Sequence, residues 1–380
     1  MMEANRIIYL DNAATTVVDN EVLDAYQKAK RLYFANPSSI HIPGQEANRM
    51  LEKAREQILS ILKCKTEHEL IFTSGATEAN NLAIKGIAFK RMNRGKHIIV
   101  SNIEHPSVLE TAKQLEDNFG FEVTYLPVNK QGIVDLETLK SAIRKDTILV
   151  SIMAVNNEIG TINSIHDIAI LLKEYPLIAF HVDATQAMGK IDLPYDEIDL
   201  ISFSGHKIHG LNSSGALIKK KKIELLPLLN GGGQENNLRS GTNDVALAVS
   251  LAKALRLSYE RMDENYQKLL PISNYLKDSI LSHPDLYELN SNDNPYIVNF
   301  SLLTKKASVV VEALSSQGIM VSSTSACHAK EEPISYVVLA LGKSETIAHN
   351  TIRVSLSKDN TLNDITSFIN TLEKIIEEVK

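Results

Sequence analysis

The chain has 380 residues, 44% of them hydrophobic, enough for a large core and more than one domain. Its 40 basic side chains are outnumbered by 46 acidic ones, a formal charge of −6, so no overall positive field draws it directly to nucleic acid or to an anionic membrane. Two cysteines are too few for a disulfide framework, no apolar run reaches the roughly 18 residues that span a bilayer, and no signal-peptide pattern opens the chain. A soluble cytoplasmic protein is the expectation.

From about residue 70 to 220, short apolar runs alternate with stretches of helical period, as parallel βαβ units require. Strands are predicted at 70–73, 97–101, 122–126, 147–155, 178–182 and 200–203, rich in β-branched residues and without clean alternation, hence covered on both faces. Between them, 78–91, 107–118 and 165–175 read as amphipathic helices, the last capped by Ser164 with Asp167 in its first turn. The four lysines 219–222 read as a solvated strand end. Beyond the glycine run 231–233 the character changes: a long polar helical stretch at 244–277 is expected to break at Pro271. Strands at 297–300 and 352–356, with helices at 309–317 and 362–379, predict a smaller α+β domain.

Three strand ends carry unusual polar residues, and open α/β sheets bind ligands at the carboxyl ends of their strands. The first, Thr73-Ser74-Gly75-Ala76-Thr77-Glu78, places small residues at a helix start, where free N–H groups suit either a phosphate or an ordinary N-cap. In the second, His181-Val182-Asp183-Ala184-Thr185-Gln186, Asp183 follows directly on an apolar strand. It suits a helix cap, or the carboxylate that keeps a pyridine nitrogen protonated, with Gln186 near the ring's phenolic oxygen. The third, Ser202-Phe203-Ser204-Gly205-His206-Lys207, puts a lysine where a Schiff base to an aldehyde can form. Most lysines are solvated surface charges, so Lys207 gains meaning only from its company.

These segments, together with Tyr9-Leu10-Asp11-Asn12-Ala13-Ala14-Thr15-Thr16, Val155-Asn156-Asn157-Glu158-Ile159-Gly160 and Arg239-Ser240-Gly241-Thr242, resemble the cysteine desulfurases of the class V aminotransferase group, over residues 7 to 357. The resemblance implies a fold-type I α/β enzyme that uses pyridoxal 5'-phosphate: a large domain at 16–245 with a mainly parallel seven-stranded sheet covered by helices, a small α+β domain at 246–380, and an N-terminal segment, 1–15, joined to the small domain. It implies that Lys207 holds the cofactor covalently, that Asp183 meets the pyridinium, and that Gln186 and Asn157 bond the ring oxygen or the substrate. Ala76, Thr77, Ser204 and His206 would hold the phosphate, with Thr242 reaching the phosphate of a neighbouring subunit in a homodimer. His105, otherwise a helix-start histidine before Pro106, would stack on the ring. Arg353, in an apolar strand, needs a carboxylate partner, either an internal Asp or Glu or the substrate; the resemblance favours the substrate.

Cys327 sits in the small, polar run Ser325-Ala326-Cys327-His328-Ala329-Lys330, where His328 and Lys330 can both lower a thiol pKa. The same Ser-Ala-Cys carries the nucleophile in the resembling family, so the implied reaction converts L-cysteine to L-alanine and leaves the sulfur on Cys327 as a persulfide for an acceptor protein, an iron–sulfur scaffold or a tRNA-thiolating enzyme. No metal is implied. Cys64 reads as structural. Selenocysteine lyase, another class V activity, and a non-catalytic sulfur-pathway scaffold remain alternatives. Where the family commonly has Gly-Pro-Lys-Gly after His-Lys, this chain reads Gly210-Leu211-Asn212-Ser213-Ser214-Gly215, which puts loop shape and partner docking there in question.

Overall fold

The computed structural model describes residues 7–323 and 334–378. Its strands in chain order are β1 Ile8–Tyr9, β2 His68–Thr73, β3 His97–Ser101, β4 Glu122–Leu126, β5 Thr147–Ser151, β6 Ala179–Asp183, β7 Leu200–Ser204, β8 Gly215–Lys220, β9 Tyr287–Leu289, β10 Ile297–Leu302, β11 Ile319–Met320, β12 Ser322–Ser323 and β13 Thr351–Ser355. A seven-stranded sheet runs β2-β8-β7-β6-β5-β3-β4, in which β8 alone is antiparallel to its neighbours. Every residue of β3, β5, β6 and β7 is buried. Alternate side chains feed opposite faces: Ile99 and Val182 join one apolar cluster, while Ile98, Val100 and Ala179 join the other.

A four-stranded antiparallel sheet, β12-β13-β10-β9, packs with the helices Met262–Leu281, Ala307–Ser316 and Leu362–Glu378 around a separate core that includes Phe300, Ile352 and Phe368. The start of the chain links the two units. β1 lies parallel to β11 and Asn12 Nδ2 donates to the Ser355 carbonyl at 2.8 Å, after which Thr16 N–H donates to the His206 carbonyl of the large unit at 2.9 Å.

Several local expectations are corrected. The strand predicted at 147–155 ends its ladder at Ser151: Ile152 and Ala154 still donate to β6 carbonyls, but Met153 N–H turns to the Glu104 carboxylate at 2.7 Å. Ser164 begins the helix Ile165–Leu172 without a side-chain cap bond. Pro271 lies inside the unbroken helix Met262–Leu281, and the break falls at Arg261 instead. The preceding helix Val245–Glu260 is not polar but largely buried against the large unit's core, so the change of core comes later than residue 245. The lysine run is a solvated strand end only in its second half, Lys221 and Lys222. β8 extends to Lys220, and Lys219 is buried opposite its salt-bridge partner Glu69 on β2, while Lys220 meets Asp199 at 3.0 Å. A buried ammonium is tolerated because it is paired and also donates to the Ile223 carbonyl at 2.8 Å.

Candidate active site

The carboxyl ends of β2, β6 and β7 open on one cavity of about 310 Å³. Its wall includes Ala76, Thr77, His105, Asn157, Asp183, Gln186, Ser204, His206, Lys207 and Arg353, every residue singled out by sequence except Thr242 and Cys327. Thr242 is exposed and lines a separate hollow with Ser74, Ser214 and Arg239. Cys327, like His328 and Lys330, lies outside the described residues.

The helix Ala76–Arg91 follows β2 through Gly75, whose φ of +148° no ordinary side chain favours. A Cβ on Gly215, at the start of β8, would sit 2.5 Å from the Gly75 Cα. The two glycines let β8 pass beneath the helix start and leave its N-terminus uncapped by a side chain of its own. Ser204 Oγ on β7 accepts the Ala76 N–H at 2.6 Å. Glu78 Oε2 accepts the Ser74 N–H at 2.7 Å and Glu78 Oε1 accepts from Arg239 Nε at 2.8 Å, fixing the loop from its outer side. Beside it, burial together with the Lys207 and Lys190 cations pushes His206 down to about 4, so this imidazole is neutral near pH 7 and offers one N–H donor.

Asp183 ends β6 and is 4% exposed. Its Oδ2 accepts from Asn80 Nδ2 at 2.8 Å and its Oδ1 from the Thr185 N–H at 2.9 Å. Asn80 Nδ2 also donates to Ser107 Oγ at 2.9 Å, which contacts His105 Nδ1 at 2.9 Å. His105 Nδ1 accepts the Ser107 N–H at 3.1 Å and so caps the helix Pro106–Phe119. His105 thus starts a helix and also lines the cavity. Burial lowers its pKa, with Asp183 opposing and Lys207 assisting; the neutral ring, accepting at Nδ1, carries its proton on Nε2. Beneath Asp183, the buried His181 bridges Ser151 and Ser202 and is pushed down to about 4 by burial.

Lys207 Nζ donates to the carbonyls of Ala13 and, at 2.7 Å, Ala14. Arg353, on β13, donates from Nη1 to the Asn157 carbonyl at 2.9 Å and from Nη2 to Asp11 Oδ1 at 2.8 Å. Its carboxylate partner in this state is internal. Three polar atoms of cavity-wall residues, Asn157 Oδ1, Thr185 Oγ1 and Arg353 Nε, are buried without a partner, an arrangement that costs stability unless a ligand satisfies it.

The family model for aminotransferase class-V matches residues 8–368. A curated relative from Dictyoglomus turgidum, named cysteine desulfurase IscS, is 42% identical over 99% of this chain and 96% of its own length. The chain belongs to the cysteine desulfurases of the class-V aminotransferase family. A solved structure titled NifS-like protein superposes with a TM-score of 0.90 at 36% identity, covering 98% of this chain and 99% of that one. Another, titled SspA in complex with cysteine, gives 0.79 at 36% identity over 93% and 99%.

Cysteine desulfurases depend on pyridoxal 5'-phosphate, and the residues present fit that group. A helix start with a glycine N-cap suits its phosphate, a lysine amine its aldehyde, a buried carboxylate its ring nitrogen, and the orphaned Asn157 and Thr185 atoms await polar partners. Sequence reasoning missed Asn80, which anchors Asp183. Its signal was an asparagine in the middle of a buried helix, where that side chain is disfavoured unless it has a tertiary partner. It also missed the Ala13 and Ala14 carbonyls, because backbone acceptors leave no trace in residue identity.

Proposed function

We propose that this chain, a pyridoxal-phosphate-dependent cysteine desulfurase, moves sulfur from free L-cysteine to Cys327 and yields L-alanine. One observation carries the reading: Lys207, Asp183, His105, Asn157 and Arg353, drawn from five separate stretches of sequence, line one cavity. The bound cofactor supplies an electron sink for charge developing at the substrate Cα. Asp183, oriented by Asn80 and the Thr185 amide, keeps the ring nitrogen protonated. Ala76, Thr77, Ser204 and His206 hold the phosphate, Gln186 donates to the phenolic oxygen, and Asn157 lies within the same polar wall. His105 presents its apolar face to the ring. Lys207 takes and returns the proton at the substrate Cα, and Arg353 holds the substrate carboxylate with its planar fork.

The thiolate of Cys327 attacks the substrate sulfur, the carbon–sulfur bond breaks, and the β-carbon gains a proton to become the methyl group of alanine. One thiol and one cysteine thus become one persulfide and one alanine, with no external oxidant. The persulfide sulfur then passes to an acceptor protein, an iron–sulfur scaffold or a tRNA-thiolating enzyme. The working form is a homodimer in a reducing cytoplasm, where Thr242, remote from its own chain's cavity, reaches the phosphate in the other copy.

Two variants test this. Lys207→Ala should fold but lose both the visible band of bound cofactor, at roughly 400–430 nm, and all turnover. Cys327→Ser should keep the band yet release almost no sulfide from cysteine. Full sulfide release by the serine variant would remove persulfide transfer and favour a direct lyase; a cofactor band retained by Lys207→Ala would show that the anchor lies elsewhere.

A further inference from the structure

Gln186 and Lys190 stand four residues apart in the turns that follow β6, spaced so that their side chains share one side. Lys190 Nζ donates to Gln186 Oε1 at 3.0 Å. On the other side of the amide, Gln186 Nε2 donates to the Ala13 carbonyl at 3.0 Å, the same oxygen that accepts from Lys207 Nζ. A lysine side chain facing that oxygen serves as donor and a carbonyl is only an acceptor, so both neighbours dictate one orientation of the amide, oxygen toward Lys190 and nitrogen toward Ala13.

Lys190 is itself held. Its Nζ lies 5.8 Å from the centroid of the Tyr296 ring, which belongs to the small unit, and it borders a second, narrower recess on the far side of Lys207, shared with Asp19, His209 and Lys358. Tyr296 is buried, so this contact ties the lysine to the packing between the two sheets. Burial, with the cations of Lys207 and Arg353, pushes the ammonium down to about 7; as ammonium or as amine it retains a hydrogen to donate.

We infer that Lys190 is a positioning residue, which fixes the Gln186 amide so that its NH₂ alone faces the cavity and the site selects a ring bearing an oxygen acceptor next to the aldehyde. This rests on the proposed pyridoxal-phosphate reading of the cavity. Without Lys190 only the Ala13 carbonyl still favours that orientation, and the fraction of amide that turns its oxygen toward the ring sets two acceptors against each other. The preference is for the phenolic oxygen of the cofactor, not for its phosphate or its aldehyde.

The test compares pyridoxal 5'-phosphate with its 3-deoxy analogue, which lacks that oxygen, by titrating apoprotein and following protein fluorescence. Wild type should bind the natural cofactor about 5- to 10-fold more tightly than the analogue, the worth of one well-placed hydrogen bond. Lys190→Met should lower this ratio toward one, Lys190→Arg should restore most of it, and the affinity for the analogue should be the same in all three. A Lys190→Met protein that binds both ligands equally weaker, as a merely structural lysine predicts, overturns the inference, and so does an unchanged ratio. Where Lys190→Met does not fold, Lys190→Ala is read in the same way. A wild-type protein that binds neither compound overturns the cofactor reading itself, an outcome distinct from normal binding with an insensitive Lys190.

Discussion

Arg353, on the cavity wall, and Asp11, 342 residues away in sequence, form an ion pair at 2.8 Å. Asp11 neutralises a guanidinium that is 7% exposed and holds one edge of its fork, while the Asn157 carbonyl holds another. On the proposed reading, an incoming amino-acid carboxylate meets an arginine already aligned but partly satisfied. Arg353→Lys, which loses the planar fork, should raise KM for cysteine by about 10-fold or more and leave the cofactor band intact. Asp11→Asn should lower KM by about 3-fold, because the substrate no longer competes with an internal carboxylate, and should lower the melting temperature by leaving a buried charge unpaired. Steady-state kinetics and thermal melts of the two variants check both, and unchanged KM values would place the substrate carboxylate elsewhere.

Cys64 is buried beside the Leu59 carbonyl, and burial pushes its thiol up to about 12. At pH 8 its thiolate fraction is on the order of 10⁻⁴, and thiolate is the reactive form. Brief treatment of native protein with iodoacetamide should therefore modify the Cys327 peptide and leave Cys64 untouched until denaturant is added. After exposure to cysteine, one added sulfur should map to that same peptide by mass spectrometry. Modification of Cys64 in the native state would contradict its burial.

Glu104 is fully buried; its Oε1 accepts from Ser101 Oγ and the Met153 N–H, while its Oε2 has no partner. Burial pushes its pKa from 4.5 up to about 8. The folded state thus holds a proton that the unfolded chain has lost between those values. The associated stability is fully present below pH 4.5 and is lost as pH rises through about 8. Glu104→Gln keeps the acceptor and removes the titration, so its melting temperature relative to wild type should rise by a few degrees between pH 5 and pH 8.5. A difference that stays constant with pH would show that Glu104 does not titrate in this range.

The strands β3 and β4 were legible to the residue because each is an apolar or β-branched run with clear ends. β8 was not, since Lys219 and Lys220 read as solvent-facing until Glu69 and Asp199 supply their partners from other elements. The same distinction runs through the site. Residues proposed to act through their own chemistry, such as Lys207 and Asp183, announce themselves by type and position. Those that act by holding another side chain, such as Asn80 on Asp183 or Asp11 on Arg353, become visible only when segments far apart in sequence meet. Pro271 misled for a related reason: a helix whose one face is packed, as Leu269, Ile272 and Leu276 pack here, can absorb the loss of a single backbone bond.

The pairing of β1 with β11 and of Asn12 with Ser355 has a consequence for biosynthesis. The carbonyls that receive Lys207 lie in a segment secured by residues more than 300 positions downstream, among them Met320 and Ser355. Until residue 355 has cleared the ribosome, that segment lacks the strands it lies against and is held only from the large unit, however complete the seven-stranded sheet already is. Chains stalled before that point are thus kept from completing the cavity.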